Sequence, residues 1–88
     1  MRTNDDYILR EIAGEYLLVS TGNSASDFNG MITLNEMAAF IWRNINVCEN
    51  EEAIITRILE EYNADSGKVE QDVHELLAGL KRMGMVTE

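Results

Sequence analysis

The chain has one cysteine, one histidine, seven basic residues and no proline among its 88 residues. Each scarcity removes a class of function. Cys48 cannot form an intramolecular disulfide and belongs to no C-x-x-C pair, so neither a covalent staple nor a structural zinc site is open to it. Such cysteine usage fits a reducing cytoplasm. The only histidine, His74, has Gln71, Glu70, Leu77 and Ala78 as its helical neighbours. None of these is a nucleophile that it could activate, and a surface or boundary role is the expectation. Cys48 beside Glu49 sits where a carboxylate discourages a thiolate, so a packed thiol is expected rather than a reactive one. No glycine opens a G-x-x-x-x-G-K phosphate loop, and the acidic runs at Glu49, Glu51, Glu52 and at Glu60, Glu61 lack calcium-loop spacing. No catalytic centre, cofactor or metal is therefore expected. No apolar run approaches the roughly 20 residues of a membrane span, and no basic segment precedes an apolar export signal.

What is present is a folded-domain composition, 45% hydrophobic and 26% charged, in a length that holds one core over residues 1–88. Sixteen acidic residues against seven basic ones give a net charge of −9 and a pI near 4.4. Phosphate backbones and anionic lipid surfaces are repelled on average, and a basic or neutral partner is favoured.

Period-two segments rich in aliphatic and aromatic residues predict strands at about 7–12 and 15–20, joined at Ala13-Gly14. A two-residue connection with glycine is a hairpin signal, although alanine is a poor first residue for it, so a register shifted by one stays open. Residues 21–30 are small and polar and read as a loop. A third strand is predicted at 30–33. From Leu34 the period becomes 3.6, and Leu34, Met37, Ala38, Ile41 and Ile45 define a helix over about 35–46, with Thr33 or Asn35 as its cap. A second helix over 51–62 follows Asn50 and turns Ile54, Ile55, Ile58, Leu59 and Tyr62 inward, ending at Asn63. The third, over 67–83, carries Val69, Val73, Leu76, Leu77, Leu80 and Met83 on one face and is closed by Gly84. The predicted fold is α+β, a small three-stranded antiparallel sheet followed by three helices, in the manner of a winged helix-turn-helix. At least one sheet edge is left able to accept a foreign strand, unless the chain's own loop or a dimer covers it.

The stretch Leu9 to Trp42 resembles the PqqD-like family, named for protein D of pyrroloquinoline quinone synthesis and also called the RiPP precursor peptide recognition element. The markers are Arg10-Glu11, Gly14, Asn29-Gly30, Leu34-Asn35-Glu36, Ala39, Ile41 and Trp42, and Asp72 to Val86 resembles the family's last helix. The resemblance implies a non-enzymatic domain that binds the leader segment of a ribosomally made precursor peptide and presents it to a modifying enzyme, for example a radical SAM protein. It further implies that the leader adds a strand beside Gly30, Met31, Ile32 and Thr33. On this reading the leader lies against outward-turned members of Val73, Leu76, Leu77 and Leu80, with Phe28 lining or covering the groove. Core packing is the competing role for the four helix residues. Asp27, Asp72 and Glu75 are candidates to steer a basic leader or enzyme face.

Two other functions fit the same pattern. A transcriptional winged helix would need a basic third helix, but Lys68, Lys81 and Arg82 sit at the ends with Glu70, Asp72 and Glu75 between them. A homodimer could use the same edge together with Met31, Met37, Met83 and Met85.

Overall fold

The computed structural model describes residues 1–21 and 31–87. Its elements run β1 (Arg2–Thr3), β2 (Tyr7–Ile12), β3 (Glu15–Ser20), β4 (Met31–Leu34), α1 (Glu36–Ile45), α2 (Glu51–Glu61), α3 (Ser66–Arg82) and β5 (Val86–Thr87). The predicted α+β order is observed, with two short strands added at the ends.

β2 and β3 pair antiparallel from Tyr7↔Ser20 to Ile12↔Glu15, so Ala13 and Gly14 alone make the turn. Both have positive φ, 53° and 81°. That is the type I′ twist that matches the strands, and it decides the register that the sequence left open. Ala13 accepts a left-handed backbone that an L side chain disfavours by about 1–2 kcal/mol. β4 pairs with β3 from Val19↔Met31 to Tyr16↔Leu34, giving the order β2-β3-β4 with β4 at one edge.

The helix starts differ from the expected ones for a local reason. Thr33 is held in the strand ladder, and Leu34 ends β4 as a buried core residue rather than opening a helix. The chain turns only at Asn35, whose side-chain oxygen accepts the Ala38 N–H at 2.7 Å. Asn50 does the same for Ala53 at 2.9 Å, and Asp65, which apolar spacing could not single out, caps α3 by accepting the Lys68 N–H at 3.0 Å. These side chains satisfy N–H groups that a helix leaves orphaned. α2 stops before Tyr62, which is extended, rather than at Asn63. α3 ends in a Schellman turn. Met85 N–H donates to Leu80 C=O at 2.9 Å and Gly84 N–H to Lys81 C=O at 3.1 Å, with Gly84 at φ 75°.

The chain ends form a second sheet, β1 with β5, too short for any periodicity to reveal. Asn4 reinforces it, its N–H donating to Met85 C=O and its side-chain amide to Gly84 C=O. Thr3 and Asn46 exchange two further bonds of 2.8 Å that tie the clasp to α1. The core lies between the inner sheet face and the helices. Leu18, Ile41, Ile45, Ile54, Ile58, Val73, Leu77 and Met85 are its fully buried members, each worth about 1.5–3 kcal/mol against exposure. On α2 the inward face is narrower than predicted. Ile54 and Ile58 are buried, Ile55 and Tyr62 only flank the core, and Leu59 is exposed.

Candidate peptide-binding edge and cleft

The phase of the sheet fixes which backbone groups β4 offers outward. A type I′ turn bonds its first and fourth residues, so Ile12↔Glu15 is a hydrogen-bonded pair and every second pair after it is as well. The bond from Thr21 N–H to Asp6 C=O, 2.8 Å, lies on the same phase. Leu17 and Val19 therefore point their peptide groups at β2, while Tyr16 and Leu18 point theirs at β4. Ile32 and Leu34 answer them. Met31 and Thr33 are left with N–H and C=O directed at the open edge, where no other described strand lies. Their side chains stand on the outer face of the sheet and are exposed, whereas Ile32 turns inward and is half-buried.

Asn35, the residue after β4, opens a cleft of about 240 Å³ between α1 and α3, lined also by Met37, Ala38, Ile41, Asp72 and Leu76. The cleft thus begins at the residue that follows the edge strand. Of the four helix residues assigned to the groove, Val73, Leu77 and Leu80 are buried in the core, because their common face seals α3 against its neighbours. Leu76, one position off that stripe, is the half-buried member that reaches the cleft. Phe28, Gly30 and Asp27 lie outside the described residues. Asp72 is at the cleft and forms an exposed pair with Lys68 at 3.7 Å. Such a pair is worth little in water and yields readily to a competing cation. Glu75 is exposed and accepts a bond from the Gln71 amide at 3.2 Å. The α1 contribution of Met37 and Ile41 was visible in the sequence as helical spacing, but only the packing against α3 turns that stripe into a cleft wall.

His74 Nδ1 lies 3.3 Å from Glu51 Oε2 on the α2–α3 surface. Cys48 is buried and free. Among the described residues no group of three His, Cys, Asp or Glu is placed to hold a metal, and no helix is long and apolar enough to cross a membrane. Among the described residues Asn44 is the buried polar one, donating to Phe40 C=O at 2.8 Å and accepting from Arg57 at 3.0 Å. Beyond it Phe40 meets Tyr62 edge to face at 5.5 Å, and Arg43 sits over the Tyr16 ring at 5.3 Å. Desolvation first, and the Glu36 and Glu61 carboxylates next, raise the Tyr62 phenol above its usual range.

Solved structures share this architecture. The chain superposes on TbiB1, solved in complex with the TbiA(beta) leader peptide, with TM-score 0.75 and 22% identity, covering 97% of this chain and 93% of that one. It superposes on lasso peptide synthetase B1, solved in complex with the leader peptide, with TM-score 0.76 and 18% identity, covering 99% and 96%. No curated protein sequence matches. The sequence profile described as coenzyme PQQ synthesis protein D (PqqD) matches residues 15–86, from the start of β3 into β5. With β3, β4, the three helices and most of the chain's length accounted for, this chain belongs to the PqqD family.

Proposed function

We propose that this chain acts as one non-catalytic recognition domain of the reducing cytoplasm. It binds the leader segment of a ribosomally made precursor peptide by strand addition to the Met31–Leu34 edge and presents it to a modifying enzyme such as a radical SAM protein. The observation that carries this reading is the open β4 edge, with Met31 and Thr33 facing outward, followed at once in the chain by Asn35 of the α1–α3 cleft. Membership of the PqqD family and the leader peptides in the two similar structures support the same reading.

Magnitudes say what the leader must contain. The two N–H and two C=O groups of Met31 and Thr33 give at most four main-chain hydrogen bonds, each worth about 0.5–1.5 kcal/mol net. Micromolar affinity needs about 8 kcal/mol after the cost of association is met. Backbone pairing is not enough. Apolar leader side chains, each worth about 1.5–3 kcal/mol when buried, must supply the rest, and the cleft beside Met37, Ile41 and Leu76 is where they enter. Asp72 at the cleft then favours a leader with a Lys or Arg nearby, and association slows as salt rises.

Titration of isotope-labelled protein with the synthetic leader peptide encoded beside its gene tests this, with a short DNA duplex as control. The expected result is amide shifts concentrated at Met31–Leu34 and along α3 from Asp72 to Leu76, with no response to DNA. Silence toward the peptide, or shifts produced by the duplex, would overturn it.

A further inference from the structure

The outer face of the three-stranded sheet is apolar where an antiparallel sheet facing water is ordinarily polar. Alternation along the strands sends Tyr7, Leu18 and Leu34 into the core, and it sends Ile8, Ile12, Leu17, Val19 and Met31 the other way. Ile8, Val19 and Met31 stand directly opposite one another across all three strands. Ile8 is 43% exposed, Ile12 55% and Met31 64%, half of the six large hydrophobic residues exposed among those described. A single exposed isoleucine is ordinary, but a row that crosses a whole sheet marks an interaction surface.

Charge selects the occupant. Asp5 and Asp6 precede β2 at one end of this face, and Glu15, opposite Ile12, stands on it at the hairpin end, while Glu11 has the inward phase of its partner Tyr16; Arg10 is the one base that the described strands place on the outer face. A second copy of this chain would bring the same carboxylates and another −9 against them. The complementary surface is a protein patch with an apolar centre and a Lys- or Arg-bearing rim. Geometry adds a second condition. A leader strand added to β4 continues the sheet, so every second leader side chain stands on this same outer face, in line with the row that ends at Met31. Whatever covers the face touches the leader as well.

We infer that the outer sheet face, centred on Ile8, Val19 and Met31, is the docking surface for the modifying enzyme, which meets it with an apolar, basic-rimmed patch and reads the outward leader side chains at the same time. The inference rests on the leader-binding reading above and adds how loading of the leader is coupled to enzyme recruitment. The double variant Ile8→Ser, Ile12→Ser removes two exposed side chains far from the outward groups of β4. Calorimetry would compare it with the unaltered protein for two probes, the leader peptide and the modifying enzyme encoded beside the gene, the latter with and without bound leader.

The expected result is leader affinity within about twofold and enzyme affinity lower by about tenfold or more. In the unaltered protein, enzyme affinity should rise when leader is bound and fall between ~50 and ~500 mM salt. Equal enzyme affinity for both proteins, no enzyme binding to the loaded unaltered protein, or loss only of self-association in the variant by sedimentation would overturn the inference. Failure of the leader to bind the unaltered protein would instead sink the recognition reading, and the enzyme arm without leader would still report on the face.

Discussion

At the ends of the helices the backbone is met from within the chain, and along β4 it is not. Asn35, Asn50 and Asp65 each take an N–H of a first turn, and Gly84 lets Leu80 and Lys81 close the last turn of α3. The β1–β5 clasp gathers both ends of the chain with Asn4, Thr3 and Asn46. Met31 and Thr33 instead turn their peptide groups to an edge with no described strand beside it. The two regions obey one rule, that a backbone group needs a partner. Where the chain supplies the partner, the result is stability. Where it leaves the place open, followed by a cleft that mixes Asn35 and Asp72 with apolar side chains, the result is the edge we propose for the leader.

Breaking a bond inside the ladder should have the largest effect. Ile32→Pro removes an N–H directed at Leu18 and leaves that carbonyl without its donor, so unfolding in urea should show a loss of about 2–3 kcal/mol. Gly84→Ala should come next at about 1 kcal/mol. Nothing lies within 4 Å of the added methyl, so the whole cost is the left-handed backbone at φ 75°. A much larger loss would mean that packing, rather than the turn, fixes that end of α3. Ala13→Asn should act in the opposite sense, because asparagine tolerates positive φ and suits the first place of a type I′ turn. A gain of about 0.5 kcal/mol, or roughly 3 °C in Tm, is expected in a thermal melt. Neither Gly84→Ala nor Ala13→Asn should weaken leader binding in the fraction that remains folded, since neither touches the groups that Met31 and Thr33 offer outward.

Much of this was legible in the sequence because local signals and the fold agree. Period-two runs at Tyr7–Ile12 and Glu15–Ser20 became strands, and the stripe Val69, Val73, Leu77, Leu80 became the buried face of α3. Gly84 became its stop. Legibility failed where a residue serves two patterns. Leu34 fits the helical spacing of Met37, Ala38 and Ile41, yet pairing with Tyr16 holds it in β4, since a ladder position outweighs an unfinished helical turn. Leu76 and Leu77 are neighbours that composition cannot separate, and 100° of helical rotation puts one at the cleft and the other in the core. The clasp escaped notice because two-residue strands have no period. The outer-face row needed the register, which places Ile8, Val19 and Met31 in line although they come from three separate segments.

The central claim is that β4 receives the leader through the outward backbone of Met31 and Thr33. Met31→Pro tests it most directly, because proline is tolerated at the first residue of a strand and here removes an N–H that points away from β3. Calorimetric titration with the leader peptide, beside a urea melt of the same protein, should show stability within about 0.5 kcal/mol of the unaltered chain and leader affinity reduced by about tenfold or more. A stable Met31→Pro protein that binds the leader as tightly as before would contradict strand addition at this edge.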